Sequence, residues 1–186
     1  VKQPALWIVL GCFSLSSMAF GGLFIHLFPY VTDKGYSPAI AGAVLTIIGV
    51  VAGFIKPAWG FLAEKIPVRY AVVACFLIVA ASLGILITTD QGPLILFFPF
   101  LYAVGAGGLL PLMSITWANY FGRNFLGTIR GVFAPVTFAA NGLSPVFSAY
   151  IYDVTNSYDL AYSTFVIFLL VGALGMLMAR PPQSNE

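Results

Sequence analysis

The sequence predicts an all-α integral membrane protein, a single bundle of six helices, and three observations carry that prediction. Six uncharged stretches of 20 residues or more follow one another, at 3–32, 35–55, 70–89, 91–122, 131–152 and 160–179. Charged residues make up only 8% of the 186, eight basic and six acidic, against roughly 25% in a soluble domain. Apolar residues make up 60%, and the mean hydropathy is +0.99. A hydrocarbon layer of about 30 Å needs ~20 helical residues, so each stretch is long enough to cross. Outer-membrane barrel strands would show ~10-residue alternating segments instead, and the runs here are apolar throughout.

The spans are expected at approximately 5–32, 38–64, 69–89, 93–121, 127–152 and 159–179. The first ends at Asp33, Lys34 and Gly35, after which Ser37 reads as an N-cap and Pro38 as the first residue of the second helix. Residues 65–69 separate the second and third spans, 88–93 the third and fourth, 122–127 the fourth and fifth, and 153–159 the last pair. All five connections are short, so successive helices run antiparallel and no soluble domain is inserted. One side of the bundle holds both termini with Lys2, Lys65, Arg69, Arg123, Arg130 and Arg180, and the other holds only Lys34 among basic residues. This asymmetry places both termini in the cytoplasm. The start of the chain lacks a basic n-region and cleavage site, so no signal peptide is expected.

Other classes fall away on composition. Two cysteines without CxxC spacing make no disulfide scaffold, and a net charge of +2 argues against nucleic-acid binding. No HExxH, GxSxG or phosphate-binding loop appears, and one histidine with six acids at loops, termini or helix ends builds no metal site. Neither an enzyme nor a cofactor is expected. Cys12 and Cys75 read as small packing residues in apolar runs.

Three polar residues stand inside the spans. Lys56 interrupts the second, roughly a dozen ångströms from the helix end on the terminus-bearing side. It either snorkels to the headgroups or faces a ligand in the bundle interior. Gly42, Gly49, Gly53 and Gly60 form a stripe about 40° wide whose centre lies about 40° from Lys56. Such a stripe lets another helix approach, and Pro57 beside the lysine predicts a kink. His26, the sole histidine, is either a packing residue bonded to a carbonyl or a proton-responsive group. Asn141, before Gly142, either ties two helices together or donates a hydrogen bond to a substrate.

At the end of the second span, Gly60, Glu64, Lys65 and Arg69 resemble the loop signature of the major facilitator superfamily. Pro67 stands where that signature has glycine, and Val68 where it has a base. Residues 26–37, containing His26, Pro29, Tyr30, Asp33 and Gly35, resemble the end of helix seven in bacterial monocarboxylate-transporter-like proteins. Residues 120–131, with Arg123, Gly127 and Arg130, are similar to the link between helices ten and eleven there and in the oxalate/formate antiporter family. Residues 152–158 resemble the outer end of helix eleven.

The resemblance covers the C-terminal half of a twelve-helix transporter. It implies a partner N-terminal six-helix half, a small organic anion as substrate (a monocarboxylate), coupled protons as a further partner, and a plasma-membrane location. In those families an arginine four residues before the loop glycine binds the substrate carboxylate, and Lys56 holds that slot. Where the monocarboxylate branch has an acid one turn earlier, this chain has Ala52, which removes that route for protons. Asn141 stands where the oxalate branch has a second cation, so a monoanion is favoured over a dianion. His26 and Tyr30 complete the substrate-binding set. Glu64 either pairs with Arg130 at the start of the fifth helix to close the cytoplasmic side or is a solvated loop charge. The competing reading is a non-transporting half-size scaffold or sensor that keeps the fold.

Overall fold

The computed structural model describes residues 4–89, 92, 94–122 and 126–179. Its six helices are α1 (Pro4–Asp33), α2 (Pro38–Lys65), α3 (Val68–Thr88), α4 (Leu94–Phe121), α5 (Leu126–Thr155) and α6 (Asp159–Met178). All six are long and apolar enough to span a bilayer. Helices satisfy every interior backbone group within the segment, the requirement hydrocarbon imposes. The protein is therefore a multi-pass integral membrane protein.

The turns follow from local chemistry. Gly35 has φ 86°, and the bonds Gly35 N–H to Thr32 O and Tyr36 N–H to Val31 O close α1 in a Schellman motif. Ser37 then caps α2, its Oγ accepting from Ile40 N, with Pro38 in the first turn. At the same end of the bundle α5 stays helical through Asp153 to Thr155, where the sequence suggested a loop. Asn156 ends it in the left-handed region, φ 55°, its N–H bonded to Tyr152 O. The Thr155 hydroxyl lies between the carbonyls of Ile151 and Ser157 and holds that last turn.

The packing repeats itself. α2 lies on α4 as α5 lies on α1, α3 lies on α4 as α6 lies on α1, and α3 meets α6. Exchanging α1–α3 for α4–α6 reproduces the same pairings, the mark of an internal three-helix repeat. Trp117, Tyr102, Tyr162, Phe13, Phe76, Phe98 and Phe165 fill the core from α1, α3, α4 and α6. α2 and α5 flank it and bury only 17% and 22% of their apolar windows, against 39–50% in the other four.

Close approach relies on glycines other than the predicted stripe. A Cβ on Gly42, Gly49, Gly53 or Gly60 would meet nothing within 4 Å, so that stripe has no partner among the described residues. Tight crossings use Gly105 of α4 against Val79 and Cys75 of α3, Gly175 of α6 against Cys12 of α1, and the doublets of α1 and α4. Gly21 lies against Asn141 and Ser144 of α5, and Gly22 against Phe165 of α6. Gly107 lies against Ile55 and Ala52, and Gly108 against the Trp59 ring, all on α2.

Candidate functional site

Three faces run along α2. Ala41, Val44, Ile48, Trp59 and Ala63 are buried on one arc. At ~100° per residue the glycine stripe lies about 110° from that arc, and exposed Val50, Phe54 and Phe61 lie about 100° further round. Lys56 projects from the edge between the buried arc and the glycine arc, about 140° from the bulky apolar side chains. It is exposed, with no hydrogen-bond or ion-pair partner among the described residues. α2 continues as one helix through Pro57.

His26 and Asn141 belong to a different seam. His26 Nε2 donates to Pro145 O at 3.0 Å, and its ring lies 5.1 Å from the Tyr158 ring. Asn141 Nδ2 donates to Ser17 O at 3.0 Å, so two hydrogen bonds cross between α1 and α5. Pro145 lacks an N–H and deprives the Asn141 carbonyl of its helical donor; the Ser144 hydroxyl replaces it at 2.7 Å. His26 thus bonds a backbone carbonyl, and Asn141 joins two helices. No contact brings Lys56 to either of them.

Tyr30 is buried near the end of α1. Its hydroxyl lies 2.9 Å from Asp159 Oδ1 and 3.3 Å from Leu86 O, and the carboxylate is the stronger acceptor. Lys34 Nζ donates to Ile87 O and sits 5.4 Å from the centre of the Tyr30 ring. Together with Asp33, Tyr152, Asn156, Ser157 and Tyr158 these residues line an open pocket of about 220 Å³ at the end of the bundle away from the termini. Tyr152 and Tyr158 stack at 4.4 Å. Burial holds the Tyr158 phenol above its ordinary range, and Tyr152, Asp33 and Asp153 push the same way.

At the opposite end the loop residues separate. Lys65 lies over the Phe61 ring at 4.3 Å, and Arg69 Nη2 donates to Tyr70 Oη at 2.9 Å. Glu64 and Arg130 are both exposed, and no ion pair joins them among the described residues. Gly60 is half-buried with open space above it. Arg123 lies outside the described residues. Among those described, no group of three His, Cys, Asp or Glu could hold a metal ion.

Reasoning from sequence passed over Trp59, Tyr158 and Asp159. The glycine doublets at 21–22 and 107–108 were visible signals for the close crossings, but nothing linear marks which aromatic sits on each.

A family model described as Major Facilitator Superfamily matches residues 6–186. The chain is 25% identical over 155 residues to Monocarboxylate transporter 12 of Rattus norvegicus and of Mus musculus, covering 80% of this chain and 32% of each relative. It thus spans about a third of the length of the curated relatives it matches. It shares its fold with the POT family transporter PepTSo, a crystal structure obtained in meso, with a TM-score of 0.78 at 15% identity over 100% of this chain and 40% of that one. Six spanning helices in a repeated three-helix arrangement and a family match over nearly the whole chain agree: the chain belongs to the major facilitator superfamily.

Proposed function

We propose that the chain is the C-terminal half of a secondary transporter that moves a small organic anion, a monocarboxylate, by alternating access around a site near the bilayer midplane. The observation that carries this reading is the placement of Lys56. It is a lysine well inside a spanning helix, turned from the bulky apolar face toward the glycine arc and free of a partner among the described residues. A lysine at membrane depth costs at least ~2.5 kcal/mol and is found facing protein or water. Similarity to Monocarboxylate transporter 12 supports a carboxylate as the substrate.

The open faces of α2 and α5 support a second six-helix half as the partner, seated on Gly42, Gly49, Gly53 and Gly60. In this scheme Lys56 attracts the carboxylate. Asn141, exposed and with one amide hydrogen left beyond its bond to Ser17 O, donates a second hydrogen bond. Tyr30 orders the outer end, and His26, tied to Pro145 O through Nε2, is the proton-responsive group of this scheme. On the cytoplasmic side of a plasma membrane, Gly60, Glu64, Lys65, Arg69, Arg123 and Arg130 form the gating loops, with Glu64 reaching Arg130 only in a closed state.

Uptake of a labelled monocarboxylate into proteoliposomes tests the reading. Lys56→Gln is expected to lower uptake at low substrate by about ten-fold or more, the loss of one charge-assisted contact. Wild-type uptake by Lys56→Gln at equal protein level overturns it.

A further inference from the structure

Trp59 stands one turn from Lys56 on the other side of Pro57, and the structure gives it a task. Residues 49–58 of α2 contain no fully buried side chain. Pro57 near the end of that stretch removes the bond that Gly53 O would accept, so the helix is softest there. Beyond the proline only Trp59 and Ala63 are buried. Trp59 Nε1 donates to Val104 O of α4 at 2.6 Å, the one side-chain hydrogen bond from α2 to another spanning helix among the described residues. Its ring fills the notch at Gly108, where a Cβ would lie 2.8–3.0 Å from Cδ2, Cε2 and Cγ. Ring and hydrogen bond, with Ile55 and Ala52 seated on Gly107 just before the proline, fix the azimuth of α2 on α4 around Lys56. Lys56 lies about 60° from Trp59 around the axis, so that azimuth sets where the ammonium points.

We propose that Trp59 is a positioning residue: by docking its indole on Gly108 and its N–H on Val104 O it holds Lys56 at the border of the glycine arc instead of letting it swing toward lipid. The functional part rests on the reading of Lys56 as the carboxylate-binding group, while the geometric part does not.

The experiment separates the two. In the natural full-length protein reconstituted in proteoliposomes, Lys56→Cys is treated with a charged, water-soluble thiosulfonate, and labelling of the peptide carrying position 56 is followed by mass spectrometry. Cys12 and Cys75 are buried and give the unreactive reference. Adding Trp59→Phe keeps a ring and removes only the donor; labelling is expected to slow about fivefold, the scale of one hydrogen bond. Trp59→Tyr is the second variant should Trp59→Phe not yield folded protein. In the lysine-bearing protein Trp59→Phe is expected to raise KM about fivefold with the maximal rate kept, a split that mere loss of folded protein does not produce.

Unchanged labelling in both variants overturns the positioning role. Slowed labelling with normal uptake by Lys56→Gln keeps the positioning role and removes the carboxylate reading.

Discussion

His26 Nε2 donates to the carbonyl oxygen of Pro145 at 3.0 Å, joining α1 to α5 across 119 residues of chain. A carbonyl only accepts, so Nε2 carries the hydrogen. His26→Phe keeps a ring beside Tyr158 and loses the donor. It should cost about 1 kcal/mol, read as a fall of about 2–4 °C in Tm of the purified protein.

Glycine substitutions should divide sharply. A Cβ on Gly21 would lie 2.5 Å from Asn141 O and 2.7 Å from Ser144 Oγ, backbone and a short side chain that have little room to give. Gly21→Ala should therefore destabilise by about 1–3 kcal/mol in thermal unfolding. Gly53→Ala meets open space, and the helix propensity of alanine should leave the bundle as stable or more stable by up to ~1 kcal/mol. If a second bundle seats on that arc, Gly53→Ala should still depress uptake.

The buried Tyr30 hydroxyl beside Asp159 links the end of α1 to the start of α6. Tyr30→Phe leaves the carboxylate without its phenol, and hydrogen bonds to charged groups contribute about 1.5–3 kcal/mol. Ser157 Oγ accepts from Asp159 N at 3.0 Å, a turn contact just before the Tyr158 N-cap of α6, worth about 1 kcal/mol, that Ser157→Ala should remove. Chemical denaturation of both variants and their double mutant checks whether the two losses add.

Tyr158 supplies a pH dependence with a definite sign. Burial, then Tyr152, Asp33 and Asp153, raise its folded-state value above the ordinary tyrosine range. The neutral phenol therefore contributes stability fully present below about pH 10 and lost as pH rises through the raised value. Tyr158→Phe should flatten the fall in Tm between about pH 9 and 11 relative to wild type. Parallel curves for the two proteins would contradict the assignment.

The low charge content and the long uncharged runs determined the six helices by themselves, because a lipid solvent demands length and apolarity and nothing subtler. Turn chemistry was equally local: Gly35, Ser37 and Pro38 behave as their side chains and φ preferences require. Which face of each helix turns inward was not legible, since lipid tails are as apolar as a leucine core and leave no amphipathic period to read. Size and polar contacts decide it instead, and both depend on what stands opposite. Thus the stripe of Gly42, Gly49, Gly53 and Gly60 stays open, while the doublets at 21–22 and 107–108, with Gly105 and Gly175, carry close crossings. The same holds for the polar residues. Lys56, His26 and Asn141 stood out by composition alone, but only the tertiary structure separated Lys56 from the α1–α5 seam that joins the other two, because their partners are backbone carbonyls that every residue possesses.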